Sequence, residues 1–131
     1  MADVISPDQL KQRLRKLERD VFNSIVEGME AAALNVEATA KSYCQPGQSP
    51  YYRAPHITGT LQRSISSKTD VVNKAVHGIV GAGVSYALAV HDGTSRMSAR
   101  PFILDAIVAN EKDTMGIIEE HVLQGIKKNV K

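Results

Sequence analysis

Between positions 91 and 95 the chain reads His91-Asp92-Gly93-Thr94-Ser95, an imidazole, a carboxylate and two hydroxyls in one short stretch. A nucleophile and its base are assembled from such groups, so a small hydrolase or nuclease working through His91 and Asp92 is the chemistry this stretch would serve. Neighbouring residues on one loop rarely converge on a single substrate atom, and no nucleophile elbow of the GxSxG kind frames Ser95. The chain therefore reads as a non-enzyme without catalytic residues. His56, His77 and His121 lie far apart with no HxxxH or HxH spacing, and the single Cys44 belongs to no CxxC pair. Neither a metal site nor an internal disulfide is expected from them. Gly78, Gly81 and Gly83 form GxxGxG, which lacks the order of the phosphate-cradling loops and leads into no clear helix. Glycines that end a strand more often permit a tight turn or a close backbone approach. No cofactor and no small-molecule substrate is implied.

The other chemical feature is charge. Lys11, Arg13, Arg15, Lys16 and Arg19 crowd five cations into nine residues, with Glu18 among them. Such a run reads as a solvated helix face or as a contact with DNA phosphate or a protein partner. Overall the 131 residues carry 16 basic and 14 acidic side chains, net +2, too little to make nucleic-acid binding the default. The excess is central: residues 45–100 hold six basic and two acidic side chains, whereas each flank is −1. Aromatics are 5% with no Trp, so stacking platforms for single-stranded nucleic acid are scarce; a DNA-binding module would have to read phosphate. With 43% hydrophobic and 23% charged residues, the composition is that of one globular domain. No segment reads as an export signal or reaches the roughly 20 apolar residues of a spanning helix, and with one cysteine a cytoplasmic origin without membrane contact is expected.

The elements that must position these groups begin with Ser6-Pro7-Asp8-Gln9, a capping box with proline at the first helical position. From it, Leu10, Leu14, Leu17, Val21, Ile25, Met29, Ala32, Val36 and Ala40 recur every three or four residues until Cys44-Gln45-Pro46-Gly47. That spacing predicts a helix of roughly 35 residues, about 50 Å long. The rest of so small a domain spans about 30 Å, so part of this helix is expected to project or to meet another subunit, with Gly28 as a bend or close-packing point. Residues 45–57 read as a loop whose two tyrosines are free to dock. A short helical turn follows near Thr60, then strands near 65–72 and 75–82 joined at Val72-Asn73-Lys74. Tyr86-Ala87-Leu88-Ala89-Val90 fits strand or helix equally. Ser98 sits where a cap belongs, ahead of Pro101. Beyond it Phe102, Ile103, Ala106, Ile107, Met115, Ile118, Val122 and Ile126 trace a second apolar stripe that closes on Lys127 and Lys128. The predicted class is α+β: a long N-terminal helix, a small antiparallel hairpin or sheet and a long C-terminal helix. One domain, 1–131, divides into a helical arm (1–44), a loop (45–57), a β-rich centre (58–97) and a C-terminal helix (98–131).

The centre also carries ordered motifs. Ile57-Thr58-Gly59-Thr60-Leu61-Gln62-Arg63-Ser64-Ile65 is followed by Val80-Gly81, then Tyr86-Ala87, Val90 and Gly93-Thr94, then Ala99-Arg100-Pro101-Phe102-Ile103. In this order they resemble the TG-x-L-x-x-SI, VG, YA-x-x-V-E-x-GT and ARPF boxes of a tailed-phage family of small tail-completion and head-tail joining proteins, the minor tail protein Z-like neck components. The likeness covers residues 57–107 motif by motif and the flanking helices by length and position. It departs at His91-Asp92, where relatives place a glutamate directly after the valine; here the carboxylate stands one residue later. The resemblance implies a structural virion protein of the tail or neck, assembled in the bacterial cytoplasm. Its implied partners are copies of itself in a ring, with six favoured, and its neck and tail neighbours: tail terminator, head-closure or adaptor protein and tail tube, with non-specific contact to packaged DNA. The fold motif would then be Thr58, Gly59, Leu61, Ser64, Gly81, Gly93, Pro101 and Phe102. The candidate assembly interface is Tyr86, His91, Asp92, Thr94, Arg96 and Arg100, with Gly93 in a backbone conformation costly for other residues.

Overall fold

Three stretches of chain, residues 4–44, 59–96 and 98–129, are described by a computed structural model. Helix α1, Pro7–Tyr43, opens on the expected capping box: the Gln9 amide donates to Ser6 Oγ at 3.2 Å and the Ser6 amide to Gln9 Oε1 at 3.0 Å. Its 37 residues amount to about 55 Å of helix. Helix α2, Thr60–Ser64, leads into strand β1, Ile65–Val72, which pairs antiparallel with β2, Ala75–Ala82, in register from Ile65↔Ala82 to Val72↔Ala75. Helix α3, Ala87–Asp92, and then α4, Phe102–Ala109, and α5, Glu111–Lys127, complete the order. The class is α+β, with a long N-terminal helix, a two-stranded antiparallel sheet and helical C-terminal elements.

Helices α1 and α5 run antiparallel, and their backbones approach where side chains are small. A Cβ on Gly28 would stand 3.1 Å from Ile118 Cα, and one on Gly125 would stand 2.9 Å from Ser24 Cβ and 3.2 Å from the Asp20 carbonyl oxygen. Gly28 is thus a close-packing point between the helices. The pair is fastened at one end by Asn129, whose side-chain amide donates to Asp20 Oδ2 at 3.0 Å. At the other end Asn110 accepts from Asn35 Nδ2 at 3.1 Å and donates to Thr39 Oγ1 at 2.8 Å.

The hairpin lies across the next stretch of α1. Alternation puts Ile65, Ser67 and Thr69 on the same face as their partners Ala82, Val80 and Gly78. A Cβ on Gly78 would stand 2.8 Å from Met29 Sδ, so the lack of a side chain there lets the strand settle on the helix. Thr69 Oγ1 is buried in that contact with no hydrogen-bond partner. The hairpin tip is a two-residue turn with Asn73 at φ 50° and Lys74 at φ 65°, the type I′ geometry that matches strand twist. Val36, Ala40, Cys44, Leu61, Ile65, Ala87, Val90, Phe102 and Ala106 make the core.

Several expectations change. Tyr86–Val90, left open between strand and helix, belongs to the start of α3, so the centre is a hairpin flanked by two short helices rather than uniformly β-rich. Ser98 caps nothing: α4 starts after Pro101, which makes no side-chain cap bond. The C-terminal helix is two helices, because Asn110 turns its side chain back to the Ala106 carbonyl at 2.8 Å and spends the amide on α1. The docking of the loop tyrosines, and Thr58 and His56 with it, lie outside the described residues.

Two stability changes follow, each read as a shift of the urea midpoint at unchanged slope. Phe102→Ala empties a fully buried position and is expected to cost about 3–5 kcal/mol. Lys74→Gly relieves a side chain held at positive φ and is expected to add about 0.5–1 kcal/mol.

Candidate assembly site

The segment from Tyr86 to Phe102 is built from α3, a polar loop and the start of α4. Tyr86 precedes the first residue of α3 and its ring is partly exposed. Its carbonyl accepts from the Val90 amide at 3.1 Å, while Ala87 and Val90 turn inward to the core. Helix α3 ends because Gly93 adopts φ 83°, ψ 172°, a conformation that admits glycine and few other residues. From there the loop swings outward: Thr94 Oγ1 accepts the Arg96 amide at 3.2 Å, and Thr94, Ser95 and Arg96 are exposed. It returns when the Arg100 amide donates to the Val90 carbonyl at 2.9 Å, which delivers Pro101 and Phe102 to the head of α4. The expected glycine conformation costly for other residues and the buried anchor at Phe102 are both found in this segment.

His91 has a different place from the one its neighbours suggested. Its Nε2 accepts the Leu104 amide of α4 at 3.3 Å, and its Nδ1 meets Asp92 Oδ1 at 2.8 Å. Accepting from Leu104 uses the lone pair on Nε2, which leaves Nδ1 to face Asp92 as the donor. The ring also stands edge-on to Phe102, centroids 5.5 Å apart. His91 thus supplies the acceptor that Pro101 cannot offer to the first turn of α4. The Nε2 contact holds α3 against α4, while Nδ1 bonds within α3 to Asp92. Asp92 orients this imidazole.

The remaining fold-motif residues converge on the same core. Gly59 precedes α2 at φ 75° and Leu61 is buried; Ser64 Oγ donates to the Leu61 carbonyl at 2.7 Å, and the Ser64 carbonyl accepts from the Gly83 amide at 3.2 Å. Gly81 is the exception, since a Cβ there would meet nothing within 4 Å; the close approach expected of the glycine run belongs to Gly78. Lys11, Arg13, Arg15, Lys16 and Arg19 are all exposed on α1, remote from the loop, so the two candidate contact regions are separate surfaces. Cys44 is buried and burial pushes its thiol up to about 11, which keeps it protonated and unreactive. Among the described residues, no group of three or more His, Cys, Asp or Glu is placed to hold a metal ion, and no helix is long and apolar enough to cross a membrane.

Sequence reasoning missed how much apolar surface stays outside. Ile107, Met115 and Ile126, assigned to a buried stripe, are exposed, Met115 by 59%. Leu104 and Val108 join them on the outer side of α4, Val108 at 62%. The signal was present: residues 102–109, FILDAIVA, are apolar on more sides than one neighbour can cover.

No protein-family model, curated protein or solved structure matches this chain.

His91→Ala removes both the α4 acceptor and the edge contact to Phe102, and is expected to cost about 1–2 kcal/mol. Asp92→Asn, which retains an oxygen acceptor for Nδ1–H, should cost less than half as much. Equal losses in thermal unfolding of the two purified variants would contradict the assigned tautomer.

Proposed function

We propose that this chain is a structural virion protein of a tailed phage or prophage, acting in tail completion and head-tail joining at the neck. One observation carries the reading. The boxes that resemble the neck family, spread from Gly59 to Ile103, meet at one junction: Leu61, Ile65, Ala87, Val90 and Phe102 share a single core. That the apolar residues of these boxes pack together supports reading the boxes as one unit rather than as separate segments. The resemblance gives that unit its role.

The surface suits an assembly protein. Leu88, Leu104, Val108, Met115 and Leu123 are each more than half exposed, side chains that a protein contact would cover. A ring about the phage axis repeats one heterologous contact until it closes, and six copies is the number the resemblance favours. Around the ring, Arg96 and Arg100 flank the outward loop, where guanidinium groups form forked bonds to carboxylates or phosphate. Tail terminator, head-closure or adaptor protein and tail tube are the neighbours of such a position, and packaged DNA passes through it. Assembly would take place in the host cytoplasm, with the finished protein in the virion.

Deleting the gene should leave filled heads and separate tails with few infectious particles; a normal plaque yield from the deletion strain would contradict the reading. Within it, Arg96→Ala combined with Arg100→Ala should keep unfolding within about 0.5 kcal/mol of the parent while impairing complementation of the deletion. Full complementation by the double variant would remove these arginines from the interface.

A further inference from the structure

The apolar stripe of α1 outruns the helix that covers it. Past α5, Asn129 bonds Asp20 and with Lys128 lines a pocket against Leu14 and Leu17, whereas α1 starts at Pro7. Leu10, Leu14 and Leu17 continue, at helical spacing, the same face that Ser24 and Gly28 present to α5. Leu10 and Leu14 are about half exposed. Residues 7–19 therefore form an arm about 20 Å long at 1.5 Å per residue, apolar along one side. Lys11 and Arg13 lie next to the leucine stripe in angular position, and Arg15, Lys16 and Arg19 cover the rest. Against Asp8 and Glu18 these five cations leave the arm at +3.

The outer side of α5 has the opposite character. Met115, Glu119 and Leu123 follow one another at steps of four, one line along the helix, and all three are exposed. Glu111, Asp113, Glu119 and Glu120 against the lone Lys112 set the thirteen residues 111–123 at −3. Residues 7–19 and 111–123 thus match in length, both carry exposed apolar side chains, and their net charges are equal and opposite.

We infer that the arm of one copy docks on the Met115–Leu123 line of a second copy, head to tail. This rests on the proposed ring only in taking the occupant to be another copy of this chain. Charge selects the mode: two arms side by side would set +3 against +3, whereas arm on α5 sets +3 against −3, and such patterning decides register and partner choice. The exposed leucines favour a protein surface over DNA, because phosphate contacts make no use of Leu10 and Leu14. Within one chain the contact is out of reach. Gly28 lies against Ile118, so in the antiparallel pair Leu14 and Met115 are displaced by about 25 Å along the axis. A heterologous contact of this type propagates and closes only as a ring.

The test uses the purified full chain in sedimentation equilibrium. Arg13→Glu/Arg15→Glu/Arg19→Glu on the arm, or Glu119→Lys/Glu120→Lys on α5, should each weaken self-association about tenfold or more while leaving thermal unfolding unchanged, and mixing the two variants should restore it. Leu14→Cys mixed with Met115→Cys or Leu123→Cys should give an oxidised dimer that Leu14→Cys alone does not give; Cys44, buried, does not compete. A parent that stays monomeric, association indifferent to the charge reversals, an arm-to-arm disulfide, or an arm needed only for salt-dependent binding to duplex DNA would each overturn the inference. Separate heads and tails in the deletion strain together with any of these results would leave the neck role standing and remove only this contact.

Discussion

Helix backbones come into contact only where side chains give way, and in this chain Ser24, Gly28 and Gly125 make that place. The crossing seats α5 directly on α1, with Gly28 under Ile118 and Gly125 over Ser24. Everything else takes its position from it. The Asn35–Asn110–Thr39 network fastens the far end and fixes where α4 breaks from α5; α4 in turn carries Phe102 into the core from beneath His91. The hairpin settles on α1 at Met29 and Ala33, and there too a missing side chain, at Gly78, sets the distance. Small residues at three contacts thus let one long helix act as the floor for the hairpin, α4 and α5.

Much of this was legible in the sequence. The capping box, the period of α1, both strand spans and the turn at Asn73-Lys74 follow from local chemistry that tertiary context does not override. Gly93 was readable because a glycine between a short apolar run and a polar loop has few other uses. The break at Asn110 was not, since an asparagine inside an apolar period signals nothing until Thr39 and Asn35 are brought beside it from 70 residues away. His91 misled for a related reason. Next to Asp92 and Thr94 it resembles a base, and only the fold reveals that its second nitrogen accepts the Leu104 amide. Periodicity also overstated the core: it identifies which side chains share a face, but it does not say whether a neighbour covers that face, as the exposure of Leu14 and Met115 illustrates.

The same geometry explains why the exposed apolar surface falls where it does. Helix α5, at 17 residues, is less than half as long as α1, and among the described residues Leu10 and Leu14 at the start of the α1 stripe stay about half exposed. On the opposite side of α5 and α4 the apolar side chains look outward because Gly125, Asn110 and Phe102 have already taken the inward positions. A domain built this way satisfies its own core and still leaves apolar side chains exposed on α1, α4 and α5.

The close crossing of α1 and α5 is tested most directly by urea denaturation of two glycine-to-alanine variants on the same helix. Gly116→Ala, with open space at its Cβ, should gain stability by about 0.5–1 kcal/mol from helix propensity alone. Gly125→Ala, which drives a methyl group into Ser24 and the Asp20 carbonyl, should lose about 1–3 kcal/mol despite the same gain in propensity. Opposite signs are the result the account predicts. Stabilisation of similar size at both positions would mean that the helices do not meet at Gly125, and would contradict it.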